Sequence, residues 1–266
     1  MNTESAPFTP THYFLRSYHG GLGDELQFSH LPERLVKQGH HVHLYTGPDV
    51  MPFRNPEIQD LLYTRNPYIT PAPADTPQVW NLGDIPGKPY SLRPTGSGAV
   101  ADSFIKSWSQ TLGFDFSDHF PKVYYKANPV SVKGYGLIDL SSKTLQYDTA
   151  AVIETCKRLV NLDSPHCDGY FIVNSPHQSN RIKFFPAGHE GISTEVDIEN
   201  IYQLIDLIFS CRHLITLNSG THALAAAYTH GRYLQHDSIL PKKESEWILR
   251  DKKFIFPGVK YHVEGA

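Results

Sequence analysis

Tyr13-Phe14-Leu15-Arg16-Ser17-Tyr18-His19-Gly20-Gly21-Leu22-Gly23-Asp24 follows a polar tail, and its reading decides the fold. The aromatic-rich first half has the composition of a short strand, and the glycines after it mark a tight turn. Leu26, Phe28, Leu31, Leu35 and Val36 then recur at helical spacing through 25–38, and Gly39 stops the helix. Pro32 falls early enough in that helix to be tolerated with a local bend. His41-Val42-His43-Leu44-Tyr45 alternates like a second strand. The order strand, glycine turn, helix, strand is the opening of a Rossmann-like lobe.

The same alternation restarts further on. Pro67 to Pro94 is dense in Pro and Gly, with Val79–Leu82 as a short strand, and residues 102–112 form a helix ending at Gly113. Tyr124–Pro129 has the composition of a linker. Beyond it come a strand at 135–140, a helix at 148–161, a strand at 170–173 and an amphipathic helix at 198–210. Leu214–Leu217 is a buried strand that runs into Asn218-Ser219-Gly220-Thr221-His222 and an alanine-rich helix, 223–228. Strand–helix alternation in both halves predicts parallel sheets and an α/β chain of two Rossmann-like lobes, 12–128 and 129–266, with a cleft between them.

Composition narrows the function. The chain has 266 residues, 40% hydrophobic and 19% charged, as a compact globular protein does. The formal charge of −3 is spread so that each half is near neutral, and no basic lobe exists to neutralise nucleic-acid phosphates. Lys242, Lys243, Lys252 and Lys253 read as a solvated face. Cys156, Cys167 and Cys211 are far apart with no CxxC, which fits reduced thiols. Met1–Pro10 has no apolar stretch of the signal-peptide kind, and no apolar run reaches the roughly 20 residues of a membrane span. A cytoplasmic protein is expected.

Two loops carry the chemistry. Gly20-Gly21-Leu22-Gly23-Asp24 lies at the carboxyl end of the first strand, where glycines permit close backbone approach and a helix start offers free N–H groups. Asp24 has two readings: N-cap of helix 25–38, or a base that takes a proton from an attacking hydroxyl, and one carboxylate can do both. The loop lacks the spacing of GxGxxG, and no acidic residue follows the second strand at the dinucleotide interval. In Asn218–His222 two hydroxyls and a glycine precede a helix of small residues, which is the make-up of an anion site. The plainer reading is a Ser/Thr capping turn. His222 either contacts phosphate or supports the loop from behind.

These residues resemble the heptosyltransferase family of GT-B glycosyltransferases (glycosyltransferase family 9). The carriers are Gly20–Asp24 after the first strand and Leu207–Tyr228, with its alanine-rich helix after a loop of D-[ST]-G/A-x-x-H type. The resemblance implies a nucleotide diphospho-sugar donor held chiefly by the C-terminal lobe, and a hydroxyl acceptor on the N-terminal side. The acceptor class stays open: glycan, lipid-linked sugar, small molecule or modified nucleobase. It also implies metal-independent inverting transfer with no cofactor. Asp24 becomes the catalytic base, and Ser219, Gly220, Thr221 and His222 the diphosphate loop. Lys143 takes the place of a phosphate-facing lysine, and Gly21 and Gly23 complete the donor site. Departures are visible: Asn218 stands where the family usually has Asp, Thr221-His222 shortens the loop, and no Lys-Arg-Trp segment surrounds Lys143.

Other patterns carry less. His41 and His43 share a strand face beside His40, which is short of a metal site. No DxD-like motif appears, and Asp115-Phe116-Ser117-Asp118 has the wrong spacing. Ser175, a donor-site candidate, Arg181 and Lys183 follow a strand and read as nucleotide or acceptor contacts or as a solvated loop; Glu190 and Glu195 read as loop carboxylates suited to a ribose. With no GxSxG or GxxxxGK[ST], hydrolase and kinase chemistry have no anchor. The remaining rivals are a sugar-nucleotide epimerase or hydrolase, and a binding module without turnover.

Overall fold

The computed structural model describes residues 10, 12–15, 21–45, 52–74, 120–131, 134–143, 145–163, 167–174, 181–182, 184, 194–229, 234–250 and 255–266. Strands β1 (His12–Leu15) and β2 (His41–Leu44) pair in parallel, with His12 opposite His41. Between them lie α1 (Leu22–Leu26) and α2 (Leu31–Lys37). The single helix expected over 25–38 is therefore two. Pro32, at the start of α2, has no N–H to bond back, so the chain turns through 27–30, where the Ser29 hydroxyl donates to the Leu26 carbonyl at 2.8 Å. Asp24 is not an N-cap. The helix starts at Leu22, Gly21 is the extended cap residue (φ −92°, ψ 140°), and Asp24 lies inside the first turn.

The second sheet has six strands: β3 (Gly136–Asp139), β4 (Tyr170–Asn174), β5 (Thr194–Asp197), β6 (His213–Leu217), β7 (Gln235–Leu240) and β8 (Lys260–Val263). Their spatial order is β5-β4-β3-β6-β7-β8 and every pair is parallel. Counted within this sheet, the order is 3-2-1-4-5-6, the doubly wound dinucleotide-fold topology, whose direction reverses between β3 and β6. Helix α3 (Pro56–Gln59) continues as a π-helical turn, Asp60–Thr64, in the N-terminal part. Around the large sheet lie α4 (Thr149–Asp163), α5 (Ile201–Ser210), α6 (Gly220–Thr229) and α7 (Lys242–Arg250). The expected strand at 79–82 and helix at 102–112 lie outside the described residues.

Each face of the large sheet has its own apolar layer. Val152, Cys156, Leu159 and Val160 of α4 cover Ile138, Ile172, Ile215 and Ile239. On the opposite face, Leu204, Ile205 and Ile208 of α5 and Ala223–Ala226 of α6 cover Leu137, Val173 and Leu214. That second layer continues into Leu15, Leu26, Leu31, Leu35, Val42 and Leu61, so one buried cluster spans both sides of position 128. Ala223, Ala225 and Ala226 are fully buried, and their small side chains let α6 lie close on the strands.

Polar contacts fasten the same junction. Glu57 of α3 accepts from the free backbone N–H of Ile201 at 2.8 Å, and Asn200 caps the same helix start through Tyr202 and Gln203 N–H. Arg65 pairs with Asp60 at 2.7 Å and lies over the Tyr202 ring at 4.8 Å. Glu195, expected in a loop, belongs to strand β5. There it meets Arg181, whose guanidinium also reaches Asn174 across the β4–β5 edge.

Candidate active site

In an open parallel sheet, ligands bind outside the carboxyl ends of the strands where the winding reverses. Here that point lies between β3 and β6, which are paired with Asp139 opposite Thr216. The segment leaving β3 is Leu140-Ser141-Ser142-Lys143, and the one leaving β6 is Asn218-Ser219-Gly220, which opens α6. The two segments singled out in the C-terminal half thus emerge at adjacent strand ends. Lys143 is exposed and carries no ion pair among the described residues.

The Gly21–Asp24 turn meets the same place. A methyl group on Gly220 would lie 3.2 Å from Leu22 Cβ and 3.3 Å from the Gly23 backbone nitrogen. The first turns of α1 and α6 are therefore pressed together, with glycine on both sides of the contact. Asp24, partly exposed, stands one residue past that contact. Its carboxylate Oδ2 and the Arg54 guanidinium Nη1 both lie 3.1 Å from where a Gly21 side chain would begin. A side chain at position 21 would separate the two groups.

The β6–α6 loop is firmly held. Asn218 is buried, and its backbone N–H donates to the Tyr147 hydroxyl at 3.1 Å, which in turn donates to the Ile239 carbonyl at 3.2 Å. Thr221 is buried at 5% exposure. The Ser219 hydroxyl is buried without a hydrogen-bond partner among the described residues, a state that costs about 1–3 kcal/mol until an oxygen of a water or ligand satisfies it.

His222 sits behind the loop. It is fully buried, with Nδ1 3.3 Å from His236 Nε2 and Nε2 3.2 Å from the Tyr261 hydroxyl. His236 also meets Thr216 Oγ1 at 3.1 Å, and the Phe256 N–H donates to Tyr261 at 2.7 Å. Burial, and then the neighbouring His222, push the His236 imidazole well below its ordinary pKa, so it is neutral.

On the other face a second polar chain crosses the sheet. The Tyr170 hydroxyl donates to His213 Nδ1 at 3.1 Å, passing over Gly136, while His213 and His262 Nε2–H donate to the two oxygens of buried Asp237 at 2.8 and 2.7 Å. Burial pushes the Asp237 carboxyl up, and bonds from His213, His262 and Gln235 outweigh it, leaving the group below the usual carboxylate range. This chain braces the sheet away from the loop ends.

Sequence reasoning missed Arg54. Its signal was weak: an arginine just ahead of Asn55-Pro56, the cap and first residue of α3. It also gave no hint that Tyr63, in the π-turn, donates to buried Glu25 of α1 at 2.5 Å and so fixes that helix. Ser175, Lys183 and Glu190 lie outside the described residues, as does Asp115–Asp118. His12, His41 and His43 do cluster, with centroids 4.7 Å (His12–His41) and 5.1 Å (His12–His43) apart, but the rings stack nearly parallel. His12 Nδ1 and His43 Nε2 hydrogen-bond each other at 2.8 Å, and among the described residues no three His, Cys, Asp or Glu side chains could hold a metal ion.

No family model and no curated protein matches the sequence. Solved structures do match in fold. One is TibC, a dodecameric iron-containing heptosyltransferase from enterotoxigenic E. coli, in complex with ADP-D-beta-D-heptose. It superposes with a TM-score of 0.56 at 18% identity, over 97% of this chain and 63% of that one. A glycosyltransferase of family 9 from Veillonella parvula gives 0.54 at 9% identity, over 96% of this chain and 86% of that one. The chain thus has the α/β fold of the heptosyltransferases and of glycosyltransferase family 9. It spans less than two thirds of the length of TibC. Among the described residues, no helix is long and apolar enough to cross a membrane.

Proposed function

We propose that the chain is a glycosyltransferase that moves a sugar from a nucleotide diphospho-sugar to a hydroxyl acceptor by inverting displacement. The observation that carries this reading is the contact of Gly220 with Leu22 and Gly23. It joins the two segments whose residue types suit the two halves of such a reaction, at the sheet's reversal point. Residues 12–128 supply the acceptor side and 129–266 the donor side of a GT-B-type cleft.

Each residue has a part that its chemistry allows. Asp24 takes the proton from the acceptor hydroxyl as that oxygen attacks the anomeric carbon. The bond from that carbon to the donor diphosphate breaks on the opposite face, and negative charge develops on the departing phosphate. The N–H groups of the first turn of α6, the unpartnered Ser219 hydroxyl, Thr221 and the Lys143 ammonium stabilise that charge without reorganising. Gly21, Gly23 and Gly220 keep side chains out of the meeting point. His222 acts through the loop: it holds the start of α6 from behind. Ser175, next in sequence after β4, completes the donor side. TibC is iron-containing, and among the described residues of this chain no three His, Cys, Asp or Glu side chains could hold a metal ion.

The test is Asp24→Asn. Its carboxamide is nearly the same size but cannot take the proton. The variant is expected to bind the nucleoside diphosphate as the parent does and to lose turnover by about 10²–10⁴-fold. Retained turnover would remove Asp24 from the chemistry.

A further inference from the structure

His222 and His236 are buried imidazoles bonded nitrogen to nitrogen, behind the loop proposed to hold the donor diphosphate. His222 is the third residue of α6, and its ring lies 5.0 Å from His236, 5.2 Å from Phe256 and 5.5 Å from Tyr261, centroid to centroid. The bonds fix how many protons the pair can hold. Each neutral ring carries one N–H. One of those protons lies in the bond between His222 Nδ1 and His236 Nε2. The other sits on His236 Nδ1 when the Tyr261 hydroxyl donates to His222 Nε2, or on His222 Nε2 when that nitrogen donates to Tyr261. Either way one outer nitrogen is bare, so a third proton can enter without breaking the central bond. His236 Nδ1 is buried with no hydrogen-bond partner among the described residues.

The surroundings keep that third proton off while the site is empty. Burial disfavours a charged ring, and the start of α6 is the positive end of its dipole. Asp237, beside His236 on β7, turns its carboxylate to the opposite face, into bonds from His213, His262 and Gln235. Burial and the His222 ring therefore lower the basicity of His236 against a smaller opposing pull from Asp237, and His213 lowers it further.

We propose that the His222–His236 pair takes a proton from solvent when a diphosphate docks at the start of α6, and returns it when the site empties. The proposal rests on the transferase reading and adds a charge to the same site. A docked diphosphate reverses the field at that helix end, and in a low-dielectric interior the reversal reaches the ring that follows Thr221. Negative charge then grows on the departing phosphate, so the protonated pair stabilises the cleaved state more than the bound donor. The central bond stays in place throughout, so the loop gains charge without changing shape.

Calorimetric titration of the whole protein with ADP-glucose, UDP-glucose, GDP-glucose and dTDP-glucose tests this, because their diphosphate diesters do not titrate near neutrality. Run in HEPES and in Tris, which differ in heat of ionisation, it counts the protons exchanged. The parent is expected to take up about 0.5–1 proton on binding the probe it recognises, and its affinity should fall as pH rises, by up to about tenfold per unit. A protein carrying both His222→Gln and His236→Gln, whose amides hydrogen-bond but do not titrate, should take up less than about 0.2 proton. Nitrogen NMR of the histidine-labelled parent needs no substitution, and should show one ring of this pair turning from neutral to charged on binding. Binding without proton uptake overturns the proposal. So does uptake that persists in the double variant, or a pair whose rings both stay neutral when the probe is bound. Failure of the transferase reading shows differently, as a parent that binds none of the four probes.

Discussion

Gly136→Ala should be among the most damaging single-methyl additions in the large sheet. The new Cβ would sit 2.3 Å from Cε1 and 2.5 Å from Cδ1 of Tyr170, where carbon atoms normally rest about 3.5–4.0 Å apart. The ring must therefore move by more than about 1 Å, but it is fully buried and its hydroxyl is tied to His213. Overpacking alone costs about 1–3 kcal/mol. Driving the ring from its place approaches the cost of deleting a large aromatic, about 3–5 kcal/mol, with about 1 kcal/mol more for the hydrogen bond. We expect a loss of about 3–5 kcal/mol in urea unfolding, equivalent to a fall in Tm of roughly 6–20 °C. A double-mutant cycle separates this cause from glycine's backbone freedom. Once Tyr170→Ala has removed the ring, adding Gly136→Ala should cost under about 1 kcal/mol, far short of additivity. A Gly136→Ala protein within 0.5 kcal/mol of the parent (about the error of additivity), or an additive double mutant, would refute the reasoning.

Other predictions follow the same contacts. Tyr170→Phe leaves His213 Nδ1 buried without its donor and should cost about 1–3 kcal/mol in chemical unfolding. Stability should fall as pH drops below about 6.5. There the unfolded chain protonates its histidines, whereas folded His236, with its depressed pKa, stays neutral; the unfolded state binds more protons and loses up to about 1.4 kcal/mol per pH unit relative to folded through this group. Asp237 adds a second, more acidic loss, because its contribution is present above the unfolded value near 4 and disappears as pH falls toward the depressed folded value. Urea titrations at a series of pH values read both. Asn200→Ala should cost about 0.5–2 kcal/mol by removing the cap of α5, as judged by thermal unfolding. Lys143→Ala, at an exposed position with no ion pair among the described residues, should leave Tm unchanged and weaken nucleoside diphosphate binding by about tenfold.

The elements legible in the sequence are those whose apolar pattern matches their burial. Strands β1, β2 and β6 and helices α4 and α5 all carry alternating or helical hydrophobic spacing and were readable within a few residues, whereas the helix between β1 and β2 was read as one where Pro32 makes two. Strand β7 was not. Gln235-His236-Asp237-Ser238 looks like a polar loop, yet His236, Asp237 and Ser238 are almost wholly inaccessible. Asp237 and His236 are tolerated there because they bond to side chains on neighbouring strands and on α6, partners that no local window contains. Edge strands β5 and β8 hid for a related reason: each is four residues long and carries charge or histidine. At the candidate site, the glycines and hydroxyls of both loops stood out from their positions between strand and helix. Arg54 did not, because its place beside Asp24 is set by Phe53, Tyr63 and Glu25, which touch only after the chain has folded.

The most direct test of the central claim is a thermal-unfolding screen of the purified protein against UDP, ADP, GDP, CMP and dTDP, with NAD alongside, each with and without a divalent cation. The account predicts that one nucleoside diphosphate stabilises the protein without the cation. At a hundred times its Kd the gain should be about 2.7 kcal/mol, a rise in Tm of roughly 5–10 °C, and Lys143→Ala should diminish it. Stabilisation by NAD alone, or by none of the nucleotides, would contradict it.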